Sequence, residues 1–222
     1  MNKILCFDTS NNSCFVSVSC GQKILSYNEN TTPSMQAETL LPLIERSLKE
    51  ADYEYEDIDY LAVTTGPGSF TGIRVGLAVA ESILHATNIQ GVGISNFLAS
   101  HYRLKQQVRS FDKAFVIINA YRNQQYVQEF DRKNPIGEAK LYSNEQILEL
   151  LEKQTGTVVC NGSGVSALYE QMKHLNHLTI LPRFPAIKAY HTARLADKLI
   201  LKGKTPSIEP LYIRPPDAVI PS

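Results

Sequence analysis

The stretch Gly66-Pro67-Gly68-Ser69-Phe70-Thr71-Gly72-Ile73-Arg74-Val75-Gly76 decides how the rest of this sequence is interpreted. It follows a β-prone run at residues 61–65 and opens a long apolar segment that continues to Ala86. Glycine, proline and serine favour a tight turn, and Ser69 or Thr71 can cap the helix that follows. The pattern therefore predicts a strand, a turn and a helix, with function near the turn.

A glycine-rich turn before a helix can bind phosphate, because backbone N–H groups and the helix N-terminus attract anions. The residues that this chemistry needs are incomplete here. A Walker loop carries Lys and then Ser or Thr after its last glycine, whereas Gly72 is followed by Ile73 and Arg74. The dinucleotide pattern G-x-G-x-x-G also fails, and Ser69 does not lie in the G-x-S-x-G pattern of a hydrolase. Neither a phosphate loop nor a nucleophilic serine is predicted.

Gly72, Gly76 and Ala80 recur every four residues and form a stripe of small side chains along the predicted helix. The other positions of this helix are mostly apolar, a pattern typical of a buried helix. Close approach of another element along the stripe fits either the inside of one domain or a protein interface. Periodicity alone favours the inside of one domain.

The composition is that of a compact protein with no charge excess. The chain has 222 residues, 43% of them hydrophobic, with 22 basic and 22 acidic side chains. The neutral balance argues against a stand-alone nucleic-acid binder. The four cysteines form no C-x-x-C pair, so free buried thiols are predicted. Neither a signal peptide nor a membrane span is predicted, so we expect a cytoplasmic protein.

The order of predicted elements indicates an α/β fold in two lobes. Three strands, helix, strand, helix, strand, helix predict a mixed sheet with crossover helices in a lobe of residues 1–105. The order partly repeats in residues 106–222, which predicts a smaller lobe that includes a helix near residues 192–202. A tail from Thr205 contains Pro206, Pro210, Pro215, Pro216 and Pro221, and we expect it to be extended and to fold back across the first lobe.

The glycine-rich stretch resembles the signature of the bacterial TsaB (YeaZ) family, and the residues I-L-C-F-D-T-S at 4–10 resemble its first strand. Further matches are L-L-P-L-I at 40–44, G-V-G-I-S at 91–95 and P-L-Y-I-R at 210–214, so the resemblance covers nearly the whole chain. It implies a two-lobed actin-like ATPase fold, ribonuclease H-like in each lobe. It also implies a non-catalytic role beside the related protein TsaD, with the ATPase TsaE, in forming N6-threonylcarbamoyladenosine at position 37 of tRNA. The tRNA would be bound only through the complex.

The resemblance also changes the interpretation of the small-residue stripe, since two helices of this lobe would then pack on equivalent helices of a partner as a four-helix bundle. The residues assigned to this interface are Leu40, Leu41, Ile44, Leu48, Gly72, Ile73, Arg74, Gly76, Leu77 and Ala80. Arg74 would meet an acidic partner residue or a nucleotide phosphate. The same face allows a homodimer when the partner is absent.

The implied fold places a nucleotide between the lobes. The positions that match this vestigial site are Asp8, Thr9, Ser10, Asn119, Gly162 and Gly164. Asp8 is either a carboxylate on the Mg²⁺ side of a nucleotide or a cap of its own turn. Asn119 stands where aspartate is usual, and residues 10–13 lack the glycine and lysine that would hold phosphate. We therefore expect no nucleotide on the chain alone, and ATP or ADP only at a junction with partner proteins.

Metal chemistry is not predicted either. Where TsaD carries a pair of metal-binding histidines four residues apart, this sequence has Asn96 and Ser100, and the neighbouring His101 lacks a partner. The absence of H-E-x-x-H argues against a metallopeptidase. The alternative function from another class is a self-sufficient ATP-dependent enzyme of the sugar-kinase type that uses Asp8.

Overall fold

The computed structural model describes residues 1–181 and 187–214 of the chain. The strands are β1 (Lys3–Asp8), β2 (Cys14–Cys20), β3 (Lys23–Asn30), β4 (Tyr60–Gly66), β5 (Gln90–Ser95), β6 (Lys113–Asn119), β7 (Gln124–Phe130), β8 (Pro135–Ser143), β9 (Val158–Asn161) and β10 (Leu178–Ile180). The helices are α1 (Gln36–Ala51), α2 (Phe70–Ala86), α3 (Asn96–Gln107), α4 (Asn144–Glu152), α5 (Val165–Met172) and α6 (Ala189–Ile200).

The chain divides into two compact units. Met1–Arg109 and Pro185–Pro210 form the first unit, and Ser110–Phe184 and Leu211–Ser222 form the second. The first unit is therefore discontinuous in sequence.

The sheet of the first unit has the strand order β3-β2-β1-β4-β5. The β1–β2 and β2–β3 pairs are antiparallel, whereas the β1–β4 and β4–β5 pairs are parallel. Parallel neighbours need a crossover between them, and α1 and α2 provide it. The predicted mixed sheet with a hairpin at its start is confirmed.

Helices cover both faces of this sheet. Leu5 and Phe7 of β1 and Leu61 and Val63 of β4 belong to a core cluster with the inner sides of α1 and α2. Alternate residues of a strand point to opposite faces. Ile4, Cys6 and Ala62, the buried neighbours of those residues, therefore face the other way, where α6 packs on β1, β2 and β4 and α3 packs on α6.

The glycine-rich stretch forms the predicted strand, turn and helix at the carboxyl end of β4. Ser69 caps α2 by accepting a hydrogen bond from the N–H of Gly72 at 3.2 Å. Helix α1 begins at Gln36, so Pro42 lies inside it. The turn therefore places the start of α2 against the sheet.

The predicted boundary between the lobes is corrected at the C-terminal end of the chain. The helix expected in the smaller lobe is α6, and it packs on the sheet of the first unit. Its buried residues include the small Ala189, Ala193 and Ala196, which allow close packing on a sheet. The order of elements along the chain does not specify which of two similar sheets a late helix covers.

The tail folds back on the first unit as predicted. The N–H of Gly93 in β5 donates to the carbonyl oxygen of Pro206 at 2.8 Å, and Ile208 packs against the core cluster of the first unit. A Cβ added at Gly93 would overlap the carbonyl oxygen of Ser207, so the missing side chain makes room for the tail. Pro215, Pro216 and Pro221 lie outside the described residues.

The second unit repeats the topology of the first, with the strand order β10-β9-β6-β7-β8. Three antiparallel strands, β6 to β8, are again followed by strands that pair in parallel, β6–β9 and β9–β10. Its core is formed by the sheet with α4 and α5. The sequence analysis did not predict β10, which has only three residues.

Candidate functional site

The turn after β1 is held by a buried carboxylate. One oxygen of Asp8, Oδ1, accepts hydrogen bonds from the backbone N–H of Ser10 at 2.7 Å and from its hydroxyl at 2.6 Å. The hydroxyl of Thr64 in β4 donates to the same oxygen at 2.6 Å. Asp8, Thr9 and Ser10 are all buried. Asp8 therefore fixes the turn and ties it to the neighbouring strand.

The glycines of the central stretch fit α2 against this turn. The hydroxyl of Thr9 donates to the carbonyl oxygen of Gly72 at 2.7 Å. A Cβ at Gly72 would overlap the carbonyl oxygen of Thr9, and a Cβ at Gly76 would lie 2.5 Å from the Thr9 hydroxyl oxygen. At Gly68 an added Cβ would overlap the carbonyl oxygen of Ser10. The absence of side chains lets two backbone segments touch.

These contacts correct the predicted partner interface. Leu40, Ile44, Leu48, Gly72, Ile73, Gly76, Leu77 and Ala80 are buried inside the first unit. Side chains that contact their own sheet are not available to a partner. Of the ten residues assigned to the interface, only Leu41 and Arg74 are exposed. The interpretation that periodicity alone favoured, burial within one domain, is the one that the structure bears out for the stripe.

The outward surface of α1 and α2 keeps Leu41 and Arg74 of the predicted set and adds Phe70. Leu41 is 47% exposed and Phe70, the first residue of α2, is 46% exposed. The guanidinium of Arg74 lies 3.7 Å from the centre of the Phe70 ring, a cation–π contact one turn along the helix. We call Leu41, Phe70 and Arg74 the outer α1–α2 surface. Sequence reasoning missed Phe70, although its place two residues before the inward-facing Gly72 puts it on the other side of the helix.

The residues around Asp8 do not fit a nucleotide-bound metal ion. Burial raises the pKa of Asp8, although the hydrogen bonds from Ser10 and Thr64 oppose this shift. A Mg²⁺ ligand must reach the phosphate oxygens that share the ion. Three protein donors occupy Oδ1 of the Asp8 carboxylate, and its Oδ2 is buried without a hydrogen-bond partner. Because the carboxylate has no exposed surface, neither oxygen can reach a nucleotide phosphate in this conformation. Of the two sequence interpretations of Asp8, the geometry agrees with the turn cap.

The second unit uses its matching residues in a similar way. The side-chain oxygen of Asn119 accepts the backbone N–H of Tyr121 at 2.9 Å, and the N–H of Gly164 donates to Ile117 at 2.9 Å. A Cβ at Gly162 would overlap the carbonyl oxygen of Ile117, and one at Gly164 would overlap the side chain of Gln125. Asn119 therefore caps a turn, and both glycines permit close packing.

The positions that correspond to metal-binding histidines are also structural. The amide nitrogen of Asn96 donates to the Ser10 hydroxyl at 2.6 Å and to the carbonyl oxygen of Pro67 at 2.9 Å. Asn96 thus links the start of α3 to the turn after β1 and to the turn after β4. Across residues 1–181 and 187–214, no three His, Cys, Asp or Glu side chains come together as a metal site. Within the same ranges, no helix is both long and apolar enough to cross a membrane.

The two sheets have the same order of antiparallel and parallel strands, and each has crossover helices. These features define the class of protein as one with an actin-like ATPase fold. The solved structure titled YeaZ from Pseudomonas aeruginosa has this fold, with a TM-score of 0.76 at 18% identity over 96% of this chain and 100% of that chain. A family model described as TsaD, tRNA N6-adenosine threonylcarbamoyltransferase, matches residues 33–183. The chain belongs to this family, in its TsaB (YeaZ) branch.

Curated relatives span nearly the whole chain. The tRNA threonylcarbamoyladenosine biosynthesis protein TsaB of Buchnera aphidicola subsp. Schizaphis graminum is 27% identical over 93% of this chain and 91% of the relative. The TsaB protein of Escherichia coli K12 is 23% identical over 96% of this chain and 94% of the relative. The family resemblance drawn from the glycine-rich stretch is therefore confirmed.

Proposed function

We propose that this protein is the non-catalytic scaffold and activator of a TsaD-type protein, acting with a TsaE-type ATPase, in the formation of N6-threonylcarbamoyladenosine at position 37 of tRNA. In this proposal the TsaD-type protein transfers the threonylcarbamoyl group to the tRNA. The names of the TsaB relatives and the match to the TsaD family model support this pathway. The protein would act in the cytoplasm, where tRNA is modified.

The observation that carries the non-catalytic role is the closed turn at Asp8. A sugar-kinase-type enzyme needs an accessible carboxylate beside the nucleotide phosphates, whereas Asp8 is buried and saturated at Oδ1 by its own chain. This geometry disfavours the self-sufficient ATP-dependent alternative. Binding of ATP or ADP at a junction with partner proteins stays a prediction.

The outer α1–α2 surface supports the scaffold role. Leu41 and Phe70 expose apolar area on two helices of one face, and Arg74 adds a cation held against the Phe70 ring. Large aromatic and arginine side chains contribute strongly to protein interfaces. We therefore place the contact with the TsaD-type partner at Leu41, Phe70 and Arg74, and the same surface allows a homodimer when the partner is absent.

The test is size-exclusion chromatography with light scattering on this chain mixed with the TsaD-type protein of its organism, with threonylcarbamoylation assayed on the fractions. We expect a heterocomplex and activity only when both proteins and the TsaE-type ATPase are present. The double variant Leu41→Asp/Phe70→Asp should elute apart from the partner while keeping its circular dichroism spectrum.

Ile136→Asp is the matched control, because Ile136 is an exposed apolar residue of the second unit, on β8. This variant should assemble and support activity normally. Normal assembly of Leu41→Asp/Phe70→Asp would refute the assigned surface. ATP turnover by the chain alone, lost in Asp8→Asn, would overturn the scaffold proposal in favour of the kinase-type enzyme.

A further inference from the structure

Charge is segregated in the first unit although the whole chain is neutral. Acidic residues are concentrated on α1, on the segment that follows it and on α2: they are Glu38, Glu45, Glu50, Asp52, Glu54, Glu56, Asp57, Asp59 and Glu81. The basic residues of this stretch are Arg46, Lys49 and Arg74. The helices α3 and α6, on the opposite face of the sheet, have the reverse composition.

Helix α3 contains no acidic residue; it carries Arg103 and Lys105, and Arg109 follows its end. Helix α6 carries Arg194 and Lys198, and Lys202 and Lys204 follow directly. The one acidic residue of α6 is Asp197, which is 2% exposed. Its two carboxylate oxygens accept hydrogen bonds from Asn2 at 2.9 Å and from Gln22 at 2.7 Å. Asp197 therefore presents no negative charge to solvent.

The basic residues of α6 lie beside helix α3. The ammonium of Lys198 lies 5.0 Å from the ring centre of Tyr102 on α3, so one lysine bridges the two helices. Arg194 donates through Nε to the backbone carbonyl of Gln22 at 3.1 Å, a neutral partner that leaves its charge uncompensated. Lys198, Lys202 and Lys204 are all exposed.

Compensation of the helix dipole does not account for this group. Cations near a helix C-terminus interact favourably with its carbonyl groups. At the end of α6, however, the N–H groups of Gly203 and Lys204 already donate to the carbonyl oxygens of Ile200 and Leu199 at 2.8 and 2.9 Å. Gly203 adopts a φ of 69°, the left-handed conformation that closes a helix end. The three lysines remain exposed.

We propose that the α3–α6 face binds the sugar-phosphate backbone of RNA through Arg194, Lys198, Lys202 and Lys204. Three exposed lysines and the half-buried Arg194 lie on or next to helices whose one acidic residue, Asp197, is buried and hydrogen-bonded. This is the electrostatic pattern that phosphate groups require. The inference extends the proposed function, since that function brings this chain to a tRNA. It also assigns separate faces to the two partners, because the outer α1–α2 surface lies across the sheet.

The experiment measures binding of an unmodified tRNA transcript to the heterocomplex by fluorescence anisotropy between about 50 and 200 mM KCl. The variant is Lys198→Gln/Lys202→Gln/Lys204→Gln. Each lost phosphate contact should make the plot of log affinity against log salt less steep by about 0.7 to 0.9. Affinity at about 0.1 M salt should fall by about tenfold or more.

The matched control is Lys49→Gln/Lys133→Gln/Lys153→Gln, which removes the same charge from exposed lysines elsewhere. It should change neither the slope nor the affinity by more than about twofold. If the triple α6 variant fails to fold, Lys202→Gln/Lys204→Gln serves instead, because both lysines follow the helix and are exposed.

Equal effects of the α6 variant and its control would overturn the inference. So would competition by poly-glutamate as effective as that by tRNA, because the face would then be a site for acidic protein. Assembly is measured separately by light scattering. A complex that forms and is active, but whose tRNA affinity is unchanged in the α6 variant, refutes the RNA face alone; a complex that never forms refutes the proposed function.

Discussion

Gly76→Ala separates the two interpretations of the small-residue stripe. If the stripe met a partner, the isolated chain would gain helix propensity, since alanine is favoured over glycine by about 0.8–1 kcal/mol inside a helix. If the stripe packs on the turn after β1, the added methyl group would instead collide with Thr9. The two interpretations predict opposite signs for the change in stability of the monomer.

The magnitude follows from the distances at Gly76. The new Cβ would lie 2.5 Å from the Thr9 hydroxyl oxygen, against 3.4 Å or more for an ordinary contact, so the two must separate by about 0.9 Å. Overpacking of this kind costs about 1–3 kcal/mol. The displaced hydroxyl also loses its buried hydrogen bond to Gly72, which costs about 1–3 kcal/mol. After the gain in propensity, we expect a net loss of about 1–5 kcal/mol.

The assay is urea unfolding of the isolated chain followed by far-UV circular dichroism. A loss near 3 kcal/mol lowers the midpoint by about 1–2 M at a slope of ~1.5–3 kcal/mol per M. Ala78→Gly is the matched control, because Ala78 lies exposed on the same helix. This substitution should lower the free energy of unfolding by about 1 kcal/mol through the loss of helix propensity alone. A Gly76→Ala variant as stable as the wild type, or more stable, would refute the packing argument.

Three further predictions concern buried groups. Asp8→Asn keeps the Oδ1 acceptor and removes the charge of a carboxyl group whose pKa is raised by burial. At pH 7 the folded variant should be fully active with its partners, whereas loss of activity in a folded variant would support a metal-binding role. Burial, together with Arg103 and Arg194, lowers the pKa of His191 to about 4. As the pH falls, His191 is protonated in the unfolded chain at a higher pH than in the folded chain. The free energy of unfolding should therefore fall by about 1–3 kcal/mol from pH 6.5 to 4. The decline should be smaller in His191→Gln, which lacks the titrating imidazole, and an equal decline in that variant would exclude His191 as its cause. Gly93→Ala should displace the tail at Ser207, because the added Cβ would overlap the Ser207 carbonyl oxygen. The thermal midpoint should fall by about 2–4 °C for each kcal/mol lost. Proteolysis after residue 204 should become faster, and an unchanged cleavage rate would contradict this prediction.

The local structure of the central stretch was predictable because short-range chemistry specifies it. Turn residues between an apolar strand and an apolar helix define β4 and α2, and Ser69 supplies the cap. What the helix packs against was not predictable in the same way. Inward-facing residues of a core and of a helical interface share one period, so Leu40 and Ile44 look alike in both settings. Only the contact of Gly72 and Gly76 with Thr9, far away in sequence, decides between them.

Net charge is limited in a comparable way. Equal numbers of acidic and basic residues give a neutral sum, from which we expected no stand-alone binding of nucleic acid by this chain. A sum over the chain contains no information on placement. The clustering of lysines after α6 becomes meaningful only when α6 is known to pack beside α3, and that assignment contradicted the expected lobe boundary.

The return of α6 and the tail to the first unit has a consequence for synthesis of the protein on the ribosome. When Gln107 emerges, the sheet is complete and α1 and α2 cover one face, but the face with Ile4 and Cys6 lacks α6. About a hundred further residues must be made before Ile208 follows, which takes roughly 5–20 s at ~5–20 residues per second. During that interval an apolar sheet face is open to chaperones and to aggregation, so yield should depend on the translation rate of the second unit.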